Sequence, residues 1–388
     1  MPDHREGVKA QRIALLVSSM GRGGAERVAA TLCNAWAREG REAWLIPTFL
    51  GSREIAYPLD EAVHVHFLAQ SFAATASQVP TPLRKVFLLR QLLRKAKPDV
   101  IVSFLPSTNV LAVAASRGLG IPLVVCERAD PAADTDLHPA LRIARLIAYP
   151  FADRLCVQTR QAAERMRWLS RLCGKPEIIP NPLPQSLVSP SLRIRQHPRF
   201  GIIIAVGRLS PEKGFDGLLR AFHLGFRDAP EWKLEIWGEG PQRASLEALI
   251  QELRLESRIK ICGHTTDPWS AMVRAQLFAL TSAYEGFPNA MLEAMALGLP
   301  AVAYDCNSGP RDLTDGGRVG RLVPPGNEVA LAQTLRDLAD DPGRRKALGD
   351  AGAEFVAAQF SLNSVMARWD EVFAGMIARH PKNPSTPC

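Results

Sequence analysis

Glu285 and Glu293 are the first residues whose type and spacing invite a chemical question. They lie in AYEGFPNAMLEAMALGLPAVAYD (283–305), one before a Gly-Phe-Pro turn and the other inside an alanine-rich helical run. A helix start needs only one capping side chain. Pro288 suits a first turn, where a missing N–H costs nothing, and Gly298 and Pro300 end the run. The N–H groups from Gly286 to Asn289 then offer a site for an anion. Glu285 sits in the loop above that site, and Glu293 is expected about two turns into the helix. Each can accept from hydroxyls, so a ligand with a hydroxyl-rich end, a diphosphate and a second diol fits: a nucleotide sugar. A loop glutamate and a solvated helix glutamate remain the plain alternative.

A second motif is VGRLSPEKGFDGLLRAF (206–222), in which a strand ends at Gly207, Arg208 and Lys213 follow, and a helix begins near Phe215. Two cations on one loop suit a diphosphate, Arg as a planar fork and Lys as a point charge. They can stabilise charge developing on a departing nucleoside diphosphate without a metal. A solvated loop is the alternative.

The elements that must hold these residues alternate along the chain. Its 388 residues exceed what one core usually accommodates. Strand candidates are RIALLV (12–17), EAWLIP (42–47), VHVHFL (63–68), DVIVSF (99–104), PLVVCE (122–127) and RLCVQT (154–159). After EIIPNPL (177–183) and an aperiodic stretch, they resume with GIIIAVG (201–207), KLEIWG (233–238), RIKICG (258–263), LFALTS (277–282), PAVAYD (300–305) and GRLVP (320–324). Short apolar strands between amphipathic helices predict parallel sheets covered on both faces. The expected class is α/β with two Rossmann-like domains: 1–183, a linker 184–200, 201–361, and a C-terminal helix 362–380. Ligands of such sheets sit at the carboxyl ends of the strands, so both halves can face one cleft.

Composition narrows the class. Hydrophobic residues are 47% and charged residues 22%, as in soluble globular proteins, and no apolar run approaches the roughly 18 residues of a membrane span. The early apolar run IALLV is too short for a signal-peptide core, so a cytoplasmic protein is expected. Seven dispersed cysteines without CxxC spacing read as reduced thiols, and the eight histidines form no metal pattern. The DTD at 134–136 lies in a Pro/Ala-rich segment that does not suit a metal motif.

In order and spacing these motifs resemble the retaining glycosyltransferases of family 4, with the GT-B fold, over nearly the whole chain. EGFPNAMLE matches the family's E-x7-E pair and GRLSPEKG its Arg/Lys diphosphate loop. MGRGGAERV (20–28), IIPNPL (178–183) and WGEGP (237–241) match its glycine-rich loop, interdomain segment and strand-end turn. The glycine loop is not a dinucleotide fingerprint, because Glu26 stands where a third glycine should be. The resemblance implies that Glu293 binds ribose hydroxyls and Glu285 the donor sugar. Arg208 and Lys213 would hold the diphosphate with amides of Gly286 and Phe287, and backbone at Cys262 and Gly263 would meet the base. Gly23 and Gly24 would let the backbone approach the diphosphate. It implies no cofactor and no metal, the C-terminal helix packing back on the N-terminal domain, and transfer with retention.

Where many members carry a histidine, VVCERADPAAD (124–134) offers Glu127 and Arg128, which would contact donor or acceptor or form a structural salt bridge. The net charge is +8, and TPLRKVFLLRQLLRKAKPD (81–99) sets Arg84, Lys85, Arg90, Arg94, Lys95 and Lys97 among Leu83, Phe87, Leu88 and Leu92. LRIARLIAYPFADR (141–154) repeats the theme. Such helices suit an anionic inner-membrane surface or a lipid diphosphate, or are core-facing with a solvated basic face. Nucleic acid is not expected, because no module or aromatic-basic interleaving accompanies the charge. The resemblance is to bacterial enzymes that move a hexose or N-acetylhexosamine from a UDP-sugar to lipid-linked, lipopolysaccharide or exopolysaccharide glycans. A GDP-sugar (mannosyl) transferase, a phosphorolytic or hydrolytic GT-B relative, or a non-catalytic partner subunit are the alternatives.

Overall fold

The computed structural model describes residues 10–21, 23–50, 53–73, 81–128, 138–169, 174–188 and 201–379. The DTD at 134–136 and most of the expected linker, 189–200, lie outside them. The chain divides into two units, Met1–Pro182 with Asn363–Cys388, and Leu183–Leu362.

The first unit holds β1 (Arg12–Val17), β2 (Glu42–Pro47), β3 (His64–Val65), β4 (Val100–Phe104), β5 (Leu123–Cys126), β6 (Arg154–Val157) and β7 (Glu177–Ile178). They form one sheet in the order β3-β2-β1-β4-β5-β6-β7, with every neighbouring pair parallel. Central strands β4 and β5 are buried at every position, because helices cover both faces of a parallel sheet and leave no side for polar alternation. VHVHFL, expected as a full strand, pairs only at His64 and Val65, and a helix starts at Leu68. At the sheet edge β3 has one neighbour, so Phe67 and Leu68 bury themselves by leaving the sheet.

The C-terminal helix Leu362–Ile377 turns Val365, Met366, Trp369, Phe373 and Met376 inward. Trp369 meets Trp36 of helix Gly24–Arg38 edge-on, with ring centroids 6.2 Å apart, and Phe373 lies 5.9 Å from Trp36. Asp370 takes both Nη atoms of buried Arg41, at 2.5 and 2.8 Å. This planar, two-bond pairing fixes register as well as adding energy. The last helix therefore completes the first unit's core.

The second unit holds β8 (Gly201–Val206), β9 (Trp232–Trp237), β10 (Ile259–Gly263), β11 (Leu277–Leu280), β12 (Ala301–Tyr304) and β13 (Arg321–Val323). Their order is β10-β9-β8-β11-β12-β13, again parallel throughout. The chain leaves β8 toward β9 on one side and β11 on the other, so the topological switch point lies between β8 and β11. All five described cysteines are free thiols. Among the described residues no helix is long and apolar enough to cross a membrane.

Candidate functional site

The loop after β8 is stitched to both neighbouring strand ends. On the β9 side, Gly207 N–H donates to Trp237 O and Leu209 N–H to Glu239 O. This close approach explains the glycines of WGEGP. A Cβ on Gly238, which has φ +153°, would stand 1.8 Å from Gly207 O, and one on Gly240 2.3 Å from Leu209 O. On the β11 side, Thr281 Oγ1 donates to Lys213 O at 2.9 Å, and Ala283 N–H donates to Glu212 O. Gly214, at φ +59°, ends the short turn Pro211–Lys213 and opens helix Phe215–Gly225. A side chain there would need a strained backbone and would also strike Thr281 O.

This stitching brings Lys213 to the switch point. Its Nζ lies 2.6 Å from Oε1 of Glu285, a residue 72 positions away in the chain. Ser282 Oγ donates to the same oxygen at 2.6 Å. Glu285 is largely buried, and its loop is braced by the segment after β12: Glu285 N–H donates to Asn307 O and Ser308 Oγ to Gly286 O. Phe287 is buried against Phe360. Burial and then the Glu285 charge push the neighbouring Cys306 thiol up to about 12, so it stays neutral. Arg208, on the same loop as Lys213, is exposed.

Glu293 belongs to helix Asn289–Ala296, with Pro288 as its cap residue. It is therefore the fifth helical residue, about one turn in, where two turns were expected. Its side chain is buried, and Trp269 Nε1 donates to its Oε2 at 2.8 Å. Cys262 and Gly263 end β10 beside a register shift. Burial pushes the Cys262 thiol up to about 11. The Gly263 carbonyl already accepts from Gly238 N–H at 2.8 Å, so that oxygen braces the β9 turn. Sequence reasoning missed Ser282, Trp269 and the Asn307–Ser308 brace. Only Ser282 carried a signal, a hydroxyl at the carboxyl end of an apolar strand.

Two family models match the chain: "Glycosyl transferase 4-like domain" over residues 23–182 and "Glycosyl transferases group 1" over residues 193–355. The chain belongs to glycosyltransferase family 4. This glycosyltransferase is 28% identical over 94% of its length, and 98% of the relative's, to the Campylobacter jejuni GalNAc-alpha-(1->4)-GalNAc-alpha-(1->3)-diNAcBac-PP-undecaprenol alpha-1,4-N-acetyl-D-galactosaminyltransferase. It is 34% identical over 60% of its length to an exopolysaccharide phosphotransferase of Streptomyces coelicolor, but spans only 24% of that protein. The crystal structure of HepE from Anabaena in complex with UDP superposes with a TM-score of 0.75 at 20% identity, covering 94% of this chain and 100% of that one. The fold is GT-B.

In the first unit of this glycosyltransferase, Gly23 caps helix Gly24–Arg38 with extended backbone. A Cβ on Gly23 would meet only the Glu26 carboxylate, the end of a flexible side chain that can swing aside. Ser19 Oγ donates to Glu26 Oε1 at 3.0 Å. At the end of β5, Glu127 is buried and turned inward: the Tyr149 hydroxyl donates to its Oε1, and Arg145 Nη1 lies 3.5 Å from the same atom. Burial and then the Glu127 charge push the Tyr149 hydroxyl well above its ordinary pKa, which keeps it a donor. Arg128 stacks on Phe104, 3.7 Å from the ring centroid, and donates to Asn181 Oδ1 at 2.9 Å. The structure places both residues in such internal contacts.

Proposed function

We propose that this glycosyltransferase moves a hexose or N-acetylhexosamine from a UDP-sugar to a lipid-linked, lipopolysaccharide or exopolysaccharide glycan, with retention and without a metal. The observation that carries the reading is the Lys213–Glu285 pair at the switch point between β8 and β11. In sheets of this kind that crevice takes the ligand. Lys213 and Arg208 neutralise the diphosphate as it leaves, with amides of Gly286 and Phe287 at the same phosphates. Glu285 accepts from sugar hydroxyls and Glu293 from the ribose. The acceptor hydroxyl attacks the face that the diphosphate departs from, and a diphosphate oxygen takes its proton. UDP in the HepE complex and the undecaprenyl-linked glycan in the Campylobacter relative's name support the donor and acceptor classes. All four charged groups are present, which weighs against a non-catalytic partner.

The test is transfer to a polyprenyl-diphosphate-linked glycan from a panel of UDP-, GDP- and ADP-sugars, with and without EDTA. NMR of the product reads its anomeric configuration. One UDP-sugar is expected to react, unaffected by EDTA, giving the donor's own anomeric configuration. Use of a GDP-sugar alone would favour the mannosyl alternative, and an inverted product would end the retaining mechanism.

Helices Thr81–Ala96 and Pro139–Ala148 both pack on helix Pro106–Ser116 in the first unit. Leu88 and Leu92 face the core, while Leu83, Phe87, Ile143, Leu146 and Ile147 are exposed. Exposed Arg94, Lys95, Lys97 and Arg142 accompany them. Arg90 is already used, donating to Ala115 O and Arg117 O at the end of helix Pro106–Ser116. Apolar side chains entering the headgroup boundary with cations beside them suit the cytoplasmic face of an anionic inner membrane. Combining Phe87→Glu with Ile147→Glu is expected to cut flotation with phosphatidylglycerol vesicles at least about tenfold, with the unfolding temperature unchanged. Equal flotation would remove the membrane from the proposal.

A further inference from the structure

We infer that Trp269 is a positioning residue: its indole N–H aims the Glu293 carboxylate and so sets how strongly the site selects a ribose with both hydroxyls. The inference rests on the reading of Glu293 as the ribose ligand. Glu293 is 2% exposed, so bulk water does not orient its carboxylate, and a buried carboxylate needs donors from the protein. Trp269 Nε1 supplies one to Oε2 at 2.8 Å. An indole is a donor only, with a single direction, so this bond commits Oε2 and fixes where that oxygen sits.

The indole is itself held in place. Trp269 is the second residue of helix Pro268–Arg274, whose cap Asp267 accepts from Ser270 N–H at 3.1 Å. The Ser270 hydroxyl, and then that backbone bond, hold Asp267 below the usual carboxylate range. Proline at the first helical position adds a fixed backbone angle. The ring packs against the apolar cluster that contains Met272, Phe278, Leu292 and Met295. Trp269 also lies six residues beyond Gly263, where β10 ends, on the segment that leads from the expected base contacts to Glu293. A carboxylate fixed before the ligand arrives loses less rotamer freedom on binding, and here the fixing group comes from a different helix.

Trp269→Phe keeps a six-membered aromatic ring against the cluster and removes the N–H together with the rest of the indole. The probes are UDP and 2′,3′-dideoxy-UDP, measured by calorimetry on wild type, Trp269→Phe, Glu293→Ala and the double variant. Trp269→Phe is expected to weaken UDP about tenfold and the dideoxy probe less than about threefold. Donor KM should rise by a similar factor, with kcat kept within about twofold. The double variant should bind UDP no worse than Glu293→Ala alone, because both changes remove one coupled unit. Unchanged UDP binding in Trp269→Phe, or equal loss for both probes, would overturn the positioning role and leave the ring as a packing wall. A wild type that binds both probes alike would instead overturn Glu293 as the ribose ligand, and the inference with it.

Discussion

Glu285→Ala is expected to lower kcat by about 10²–10³-fold, the usual cost of removing one preorganised group that acts on the reacting centre. Glu285 is held by Lys213 and Ser282, each 2.6 Å from Oε1, so its position is set before substrate arrives. In the proposed mechanism, removing it takes away the acceptor for the sugar, and it releases Lys213 from its ion pair. The released ammonium is then more available to phosphate, so donor Kd should stay level or fall while turnover collapses. That opposite movement separates this variant from a misfolded one, in which both would worsen. Single-turnover transfer and donor titration on the same sample would read the two quantities. A kcat within about threefold of wild type would show that Glu285 does not act at the reacting sugar.

Glu293→Ala is expected to do the converse: donor Kd rises about 10- to 100-fold, and kcat at saturating donor changes little. A hydrogen bond to a charged group contributes about 1.5–3 kcal/mol, and the lost partner here is a buried carboxylate. The substitution also leaves the Trp269 N–H without its Glu293 acceptor, which lowers the unfolding temperature modestly. In a nucleotide-sugar donor the diphosphate separates the ribose from the breaking bond, so ribose contacts are made equally in ground and transition states, and such contacts move KM more than kcat. UDP calorimetry decides the matter. A change in Kd below about threefold would remove Glu293 from the nucleotide site.

The order of alternating strands and helices was legible along the chain because periodicity is a local property. RIALLV and GIIIAVG read as covered parallel strands without any partner being known, and they are β1 and β8. The family followed from motif order, and the E-x7-E and Arg/Lys loops named the charged groups. Local reading left matters open, or missed them, where a segment's fate depended on its neighbours. VHVHFL shrank to a two-residue edge strand because only one side offered a partner. Arg90 went to helix-end carbonyls, and Glu127 turned inward to Tyr149, because packing brought those groups within reach. The sequence by itself determined the alternation and the family, and it offered carboxylates and cations of the types that suit a diphosphate and a diol. Only the tertiary structure decided that Lys213 meets Glu285 across 72 residues, that Trp269 from another helix holds Glu293, and that Trp369 returns to Trp36 in the first unit. Hydrogen bonds and ion pairs act over a few ångströms, and chain separation does not say which distant segments folding will bring that close.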